Sequence, residues 1–279
     1  MQDYPHDYVE VIFVDDGSED KTLSLIKGYS TKTDLKVKIF HHKWHGLGFS
    51  RNLVVQNASG DYIVWVDADM RIPNDYIRKL VEFMENNPVV GIAKGKQSLK
   101  VGANLIGTLE AYSRAASRLL NYRSRSAQRK SLGAGGAIYR NEAVRQAGGF
   151  DENMRYYYED FDLELRVRAC GWALDVVDAE FCDFERNRIS WRSLWEKYWL
   201  RGYYARYFVY KNNGVVLVYR MLPISALISG FLDSVKLYKL TGKNIVFLLP
   251  IYSFLKMCAW NMGFMSSQIT PYQQRKKNQ

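Results

Sequence analysis

Apolar residues near the start of the chain come in short β-branched runs, and those near its end come in long helical stretches. Tyr8-Val9-Glu10-Val11-Ile12-Phe13-Val14 predicts a strand. A helix follows through Lys27, with Ser18 or Asp20 placed to cap it. Val37 to Phe40 predicts a second strand, and Gly46 to Asn52 opens a second helix. Ile63 to Val66 is a third, buried strand. Pro73 starts a helix at Asn74 to Glu85, Pro88 follows its end, and Val89 to Lys94 is a fourth strand. Strands alternating with helices through short loops predict an α/β fold, with a mostly parallel sheet covered on both faces.

From Leu99 to Lys130 the pattern changes. Leu105, Leu109, Leu119 and Leu120 recur at helical spacing, while Arg114, Arg118, Arg123, Arg125, Arg129 and Lys130 follow Glu110 with no further acid. Such a basic face either is solvated or meets phosphate groups of a substrate or a membrane. Asn141 is placed to cap a short helix that Gly148-Gly149-Phe150-Asp151 ends, and Tyr156 to Arg166 opens another with acids crowding its first turn.

Between Ile189 and Phe208, Trp191, Trp195, Tyr198, Trp199 and Tyr203 interleave with Arg192, Lys197, Arg201 and Arg206. That composition suits single-stranded nucleic acid or a headgroup belt. The apolar segments that follow, Val215 to Leu232 and Ile245 to Met265, favour the membrane. Each carries an interior cation, Arg220 or Lys256, so they form a hairpin with snorkelling cations, re-entrant or interfacial helices, or, as the lesser alternative, a soluble helical core. The expected organisation is an α/β domain over 1–185, a basic-aromatic interface helix over 186–212, and a hydrophobic hairpin with a basic tail over 213–279.

Composition adjusts this picture at three points. Of 279 residues, 47% are hydrophobic, which excludes wholesale disorder. A net charge of +10 calls for polyanionic company. Anionic lipid and phosphorylated substrates fit the apolar tail and the paired carboxylates; nucleic acid explains neither. Cys170, Cys182 and Cys258 lack a close pair or metal-ligand spacing, which suits reduced thiols of a cytosolic compartment, and Met1 to Glu10 is too polar for a signal peptide.

The candidate chemistry lies at strand ends, where open α/β sheets hold ligands. Asp15 and Asp16 end the first strand. Asp67 and Asp69, one residue apart, either form an Asp-rich turn at the strand end or, if the chain stays extended, point the same way and can converge on one hard cation or one polyol. Gly46-Leu47-Gly48 is either a phosphate cradle or a plain helix start, and its spacing fits neither the dinucleotide fingerprint nor the P-loop. Gly133-Ala134-Gly135-Gly136-Ala137 lets the backbone approach something closely. Glu159, Asp160, Asp162 and Glu164 exceed what a helix dipole requires and suggest a general base.

In this order, the motifs resemble family 2 glycosyltransferases of the GT-A fold. Val14-Asp15-Asp16-Gly17-Ser18 is similar to their second-strand motif, Phe49-Ser50-Arg51-Asn52 to their Arg-Asn helix, Asp67-Ala68-Asp69 to the D-x-D metal motif, and Gly148 to Asp151 with Glu159-Asp160 to the acceptor loop and base motif. The tail resembles the membrane-associated ends of prokaryotic members. The resemblance implies that Asp15, Asp16, Arg51 and Asp67 bind a UDP- or GDP-sugar donor. It implies that Asp69, with Asp67, ligates Mg²⁺ or Mn²⁺, and that Asp160 is the general base with Glu159 supporting it. The acceptor would be lipid-linked or a saccharide, and the catalytic domain would lie on the cytoplasmic side of the cell membrane. Three departures stand out. The family's first strand and Pro-containing loop do not precede Tyr8, which should leave sheet edges unpaired and would fit an upstream start or a truncated product. No His lies beyond His45, so either Asp183 or Glu185 completes the metal shell or the shell lacks a third protein ligand. The processive Gln-x-x-Arg-Trp signature is only partly echoed at Asn187 to Arg192, which implies one sugar per acceptor. The competing readings are an inactive or truncated scaffold of a glycan-assembly complex and a sugar-nucleotidyltransferase, although the latter's Gly-rich triphosphate loop is missing.

Overall fold

The computed structural model describes residues 2–98, 102–116, 122–123, 130–183, 189–213 and 222–269. The chain forms two compact units: Met1–Gln97 with Leu120–Asp183, and Ser98–Leu119 with Phe184–Gln279. In chain order the elements are β1 (Glu10–Asp15), α1 (Thr22–Ser30), β2 (Lys36–His41), α2 (Leu47–Asn57), β3 (Tyr62–Val64), β4 (Met70–Arg71), α3 (Tyr76–Asn86), β5 (Val90–Gln97), α4 (Leu105–Ala115), β6 (Ala137–Arg140), α5 (Asn141–Gln146), α6 (Glu159–Ala169), β7 (Ala173–Asp183), α7 (Trp191–Lys211), α8 (Pro223–Thr241) and α9 (Leu249–Ile269).

In the first unit the four expected strands are present, and Asp20 accepts the Thr22 N–H at 2.9 Å as α1 begins. Asn141 is the first residue of α5 rather than its cap. It instead donates through Nδ2 to the Gly60 carbonyl at 3.0 Å, while its backbone N–H donates to the Asp61 carbonyl, tying α5 to the entrance of β3.

The expectation of a mostly parallel sheet is corrected: the sheet is mixed. β1 and β2 form a parallel pair, and the remaining strands lie in the order β3-β6-β5-β7-β4. Only β5 and β7 run parallel in that second sheet, whereas β6 is antiparallel to both β3 and β5, and β4 is antiparallel to β7. The physical reason is β6. It follows residues 98–136, whose helix α4 belongs to the second unit, and enters between β3 and β5 in the opposite sense. Its Ala-Ile-Tyr-Arg is too short for a period to announce it. Among the described residues β1 pairs with β2 alone and β3 with β6 alone, and Val11 to Val14 stay half-buried.

Alternation along the central strands divides the core into two layers. Ile92, Tyr139 and Leu174 pack under Val55 of α2, Val144 of α5 and Leu163 and Val167 of α6. Their neighbours Ala93 and Ile138, with Val177 and Phe181, pack against Tyr76, Leu80 and Met84 of α3. Burial of each large side chain contributes about 1.5–3 kcal/mol, so both faces hold the strand ends in place.

The second unit is helical. Ser190 and Ser193 form a reciprocal capping box at the start of α7, and Pro223 and Gly242 bound α8. α7 and α9 meet at Gly202 and Gly263: a Cβ on either would collide with the Trp260 or Trp199 carbonyl of the facing helix. Lys256 does not snorkel. It is 8% exposed and pairs with the buried Glu110 of α4 at 3.1 Å, between the rings of Tyr198 and Tyr252 at 4.6 and 4.7 Å. Arg114 takes the other Glu110 oxygen at 2.9 Å. Arg220 lies outside the described residues. Among the described residues one helical stretch, Asn244–Ile269, is long and apolar enough to cross a membrane by length and composition.

Candidate active site

β3 delivers Asp67 and Asp69. Beyond its last ladder residue the chain stays extended for one more exchange, in which Trp65 N–H donates to the Ala137 carbonyl and Gly136 N–H donates to the Trp65 carbonyl, each at 2.9 Å. The chain then turns, with Met70 N–H donating to the Asp67 carbonyl at 3.0 Å. Asp67 is exposed and Asp69 half-buried. Among the described residues neither carboxylate has a hydrogen-bond or ion-pair partner. The loop that returns to β6 passes directly over Asp67: a Cβ on Gly135 would run into Asp67 Oδ2. This is the close approach that the small-residue run anticipates.

The same loop reaches Asp160. At the first turn of α6, Asp160 Oδ2 accepts the Ala134 N–H at 3.1 Å, and Oδ1 accepts the Phe161 N–H at 2.7 Å. Tyr158, just before α6, has φ 75°, a left-handed conformation unusual for a tyrosine, and it turns the chain into the helix at this point. Asp67 and Asp160 therefore flank the two successive residues Ala134 and Gly135.

The other predicted residues are held more tightly. Asp15 is 4% exposed, accepts Ser18 N–H at 3.0 Å and pairs with His41 at 3.1 Å. Burial opposes its ionisation, but Ser18 and His41 outweigh it and hold the carboxyl below the usual range. Asp16 accepts N–H groups of His45 and Gly46 at 2.7 and 2.9 Å, fixing the loop after β2. Arg51 forms an ion pair with the buried Glu159 and lies 5.5 and 5.6 Å from the rings of Trp65 and Phe150. Asn52 bonds the backbone of Phe150 in both directions, at 2.9 and 2.7 Å, which joins the Arg-Asn helix to the Gly-Gly-Phe-Asp turn. Gly46 and Gly48 are no phosphate cradle: a Cβ on either would strike the backbone of Arg155 or Asp151.

Metal ligation has one candidate outside the expected pair. Asp16, His42 and His45 bring ligand atoms within 4.8 Å of one another, and no other group of three His, Cys, Asp or Glu among the described residues does so. Both Asp16 oxygens already accept loop N–H groups, however, and both imidazole Nδ1 atoms face the Lys43 carbonyl, at 2.8 and 2.5 Å. That arrangement serves the loop. Asp183 ends β7 opposite Met70 in the ladder, and Glu185 lies outside the described residues.

Sequence reasoning missed Lys94, whose Nζ donates to the carbonyls of Leu132 and Gly133 at 2.7 and 3.2 Å. It also missed Tyr139, fully buried, with its hydroxyl unpartnered among the described residues and its pKa raised well above the usual value by burial and then by the charges of Glu164 and Asp160. Neither carried a local signal, because each matters through a segment distant in sequence.

The pattern that defines a family of sugar-transferring enzymes, "Glycosyl transferase family 2", matches residues 1–148. The chain belongs to glycosyl transferase family 2. An uncharacterized glycosyltransferase of Haemophilus influenzae is 39% identical over 83 residues, 29% of this chain and 33% of that one. The poly-beta-1,6-N-acetyl-D-glucosamine synthase of Staphylococcus epidermidis is 20% identical over 224 residues, 76% of this chain and 54% of that one. The matches thus span between about a third and about half of these relatives' length. Among solved structures, the mannosyltransferase PcManGT from Pyrobaculum calidifontis, in complex with GDP-Man and Mn2+, has a TM-score of 0.65 at 17% identity and covers 98% of this chain and 81% of its own. That likeness shows the fold: this family 2 chain has the GT-A architecture, with a mixed sheet and C-terminal helices.

Proposed function

We propose that the protein is a metal-dependent inverting glycosyltransferase. It moves one sugar from a UDP- or GDP-linked donor to a lipid-linked or saccharide acceptor at the membrane. The observation that supports this best is the contrast among carboxylates. Asp15, Asp16, Glu159, Asp162 and Glu164 all have partners in the protein, whereas among the described residues the Asp67 and Asp69 carboxylates have no hydrogen bond or ion pair. Two such acids at a strand end suit a hard divalent cation, so Asp69, with Asp67 beside it, would hold Mg²⁺ or Mn²⁺, and Asp183 is the candidate third ligand. The cation would supply charge neutralisation at the departing diphosphate.

The protein's own groups account for the rest. Asp160 keeps its carboxylate oriented through the Ala134 and Phe161 N–H groups and takes the proton of the acceptor hydroxyl. As that oxygen bonds to the anomeric carbon, the bond to the diphosphate breaks on the opposite face, and configuration inverts. Glu159 supports Asp160 by anchoring the start of α6 to Arg51. Asp15 and Asp16 shape the donor loop.

Membrane attachment is supported by the apolar faces of α8 and α9, where Ile224, Ile228, Phe231, Ile251 and Met265 are exposed, with Lys236, Lys239 and Lys243 nearby in sequence. The clustered cations of α7 and of the tail favour placing the first unit on the cytoplasmic side.

The test is release of nucleoside diphosphate from a panel of UDP- and GDP-sugars with MnCl₂ or MgCl₂. Asp160→Ala should lower turnover by about 10²–10⁴-fold, and Asp69→Ala should abolish the metal dependence. Full activity in both variants would sink the assignment.

A further inference from the structure

The backbone of the loop between Asp67 and Asp160 is gripped from two sides by buried charge. From α6, Glu164 accepts the Leu132 N–H at 3.1 and 3.0 Å through its two oxygens, and the Gly133 N–H at 2.8 Å through Oε1. From β5, Lys94 donates to the carbonyls of the same two residues, 2.7 Å from Leu132 and 3.2 Å from Gly133. Glu164 is fully buried, one helical turn beyond Asp160. The next two residues of the loop are the ones that meet the proposed catalytic pair: Ala134 N–H on Asp160, and Gly135 over Asp67. A fully buried carboxylate is costly, and a helix's first-turn dipole gives no reason for one at this depth.

We propose that Lys94 and Glu164 are positioning residues that lock Leu132 and Gly133 and so set the spacing between the donor-side Asp67 and the base Asp160. This rests on the function proposed above. Neither side chain need touch substrate. They act through the loop, which carries any displacement straight to the Asp160 carboxylate.

The environment of Glu164 supplies a second signature. Burial, and then the charge of Asp160, push its carboxyl up to about 7, against Ser131, Arg168 and the Gly133 N–H, which favour ionisation. Lys94, on the loop's other side, and Tyr139, whose own ionisation is opposed by Glu164 and Asp160, complete the charged and titratable surroundings. Below about pH 7 Glu164 gains a proton and offers an O–H toward groups that are themselves donors, so its hold on the loop weakens.

The experiment compares wild type, Glu164→Ala, Glu164→Gln, Lys94→Met and Lys94→Arg, all full length. Amide hydrogen exchange over 131–136, corrected for intrinsic rates, reads the loop without any substrate. Glu164→Ala and Lys94→Met should raise exchange there by about tenfold or more, and Lys94→Arg should restore protection. With UDP-N-acetylglucosamine and GDP-mannose as probes, Glu164→Ala should lower kcat by about 10–100-fold while the donor KM moves by less than about threefold. Glu164→Gln at pH 8 should behave as wild type does at pH 6, with a flat profile between. Unchanged exchange in both Glu164→Ala and Lys94→Met overturns the clamp, whatever the donor. A loosened loop with wild-type kcat overturns its positioning role. Wild type inert toward both nucleotide sugars counts against the proposed function, and the exchange result still decides the clamp.

Discussion

Asp160 is set apart from the acids around it by what holds it. It is fixed by backbone N–H groups, a neutral hold that orients the carboxylate without neutralising it. Glu159, next to it in sequence, is buried and answered by the Arg51 guanidinium, itself sandwiched near Trp65 and Phe150. Arg51→Met keeps much of the packing and leaves Glu159 buried without its partner. We expect a loss of about 3–5 kcal/mol, read as a lower urea midpoint at an unchanged slope. A midpoint within error of wild type would show that Glu159 is paired elsewhere. Gly135→Ala should act on function more than on stability. The added methyl displaces Asp67 Oδ2, so the concentration of Mn²⁺ giving half-maximal turnover should rise, while the melting temperature changes little. The Arg51-Asn52 pair was legible as a motif. What each residue grips was not, because their partners Glu159 and Phe150 lie about a hundred positions away.

At the scale of elements, the helical unit depends on two contacts that its composition does not display. α7 and α9 approach so closely at Gly202 and Gly263 that a large side chain at either position has no room. Gly202→Leu should destabilise by about 1–3 kcal/mol or more, measurable as a lower melting temperature; tolerance of leucine there would mean that the helices are farther apart. The buried ion pair is the second. Burial opposes ionisation of Glu110, but Lys256 and then Arg114 hold its carboxyl well below the usual range. A carboxyl depressed in the folded state contributes stability that is fully present above its unfolded value and is lost as pH falls through that range. Lys256→Met removes the main cause, so the variant should be less stable at pH 7 and lose less than wild type as pH falls below 4.5, the carboxyl's ordinary value. Parallel pH curves for the two proteins would refute the pairing. The apolar run over Ile245 to Met265 thus announced a helix, while the purpose of its single cation waited on a glutamate 146 residues earlier.

For the molecule as a whole, the exposed apolar side chains of α8 and α9 are the largest departure from an ordinary soluble surface. Ile224, Ile228, Phe231 and Leu232 recur along one stretch of α8, each more than half exposed, and Ile251 and Met265 are similarly exposed on α9. Ile228→Glu with Phe231→Glu changes exposed positions and should leave the melting temperature in place. Binding to vesicles containing anionic phosphatidylglycerol should fall by about tenfold or more. Equal cosedimentation of variant and wild type would show that α8 is not the attachment surface. The first unit contributes a different whole-molecule feature, two sheets in place of one, with β1 and β3 each paired on a single edge among the described residues.

Sequence alone determined those properties that one segment can encode by itself. The run Tyr8 to Val14 had to be a strand, Pro73 and Pro88 had to bracket a helix, and Glu159-Asp160 had to sit at a helix start, because period, β-branching and proline geometry act within a few residues. Asp67 and Asp69 were legible as two acids at a strand end, but the extended chain expected to align them gives way to a turn between Asp67 and Met70. Tertiary structure alone decided the direction of β6, and with it the mixed sheet. It alone showed that Asp15 and Asp16 are occupied while, among the described residues, the Asp67 and Asp69 carboxylates have no hydrogen bond or ion pair. It alone brought Lys94 and Glu164, 70 positions apart, onto the same two peptide groups. Hydrogen bonds and ion pairs of that kind depend on where chain segments meet, and no local pattern carries that information.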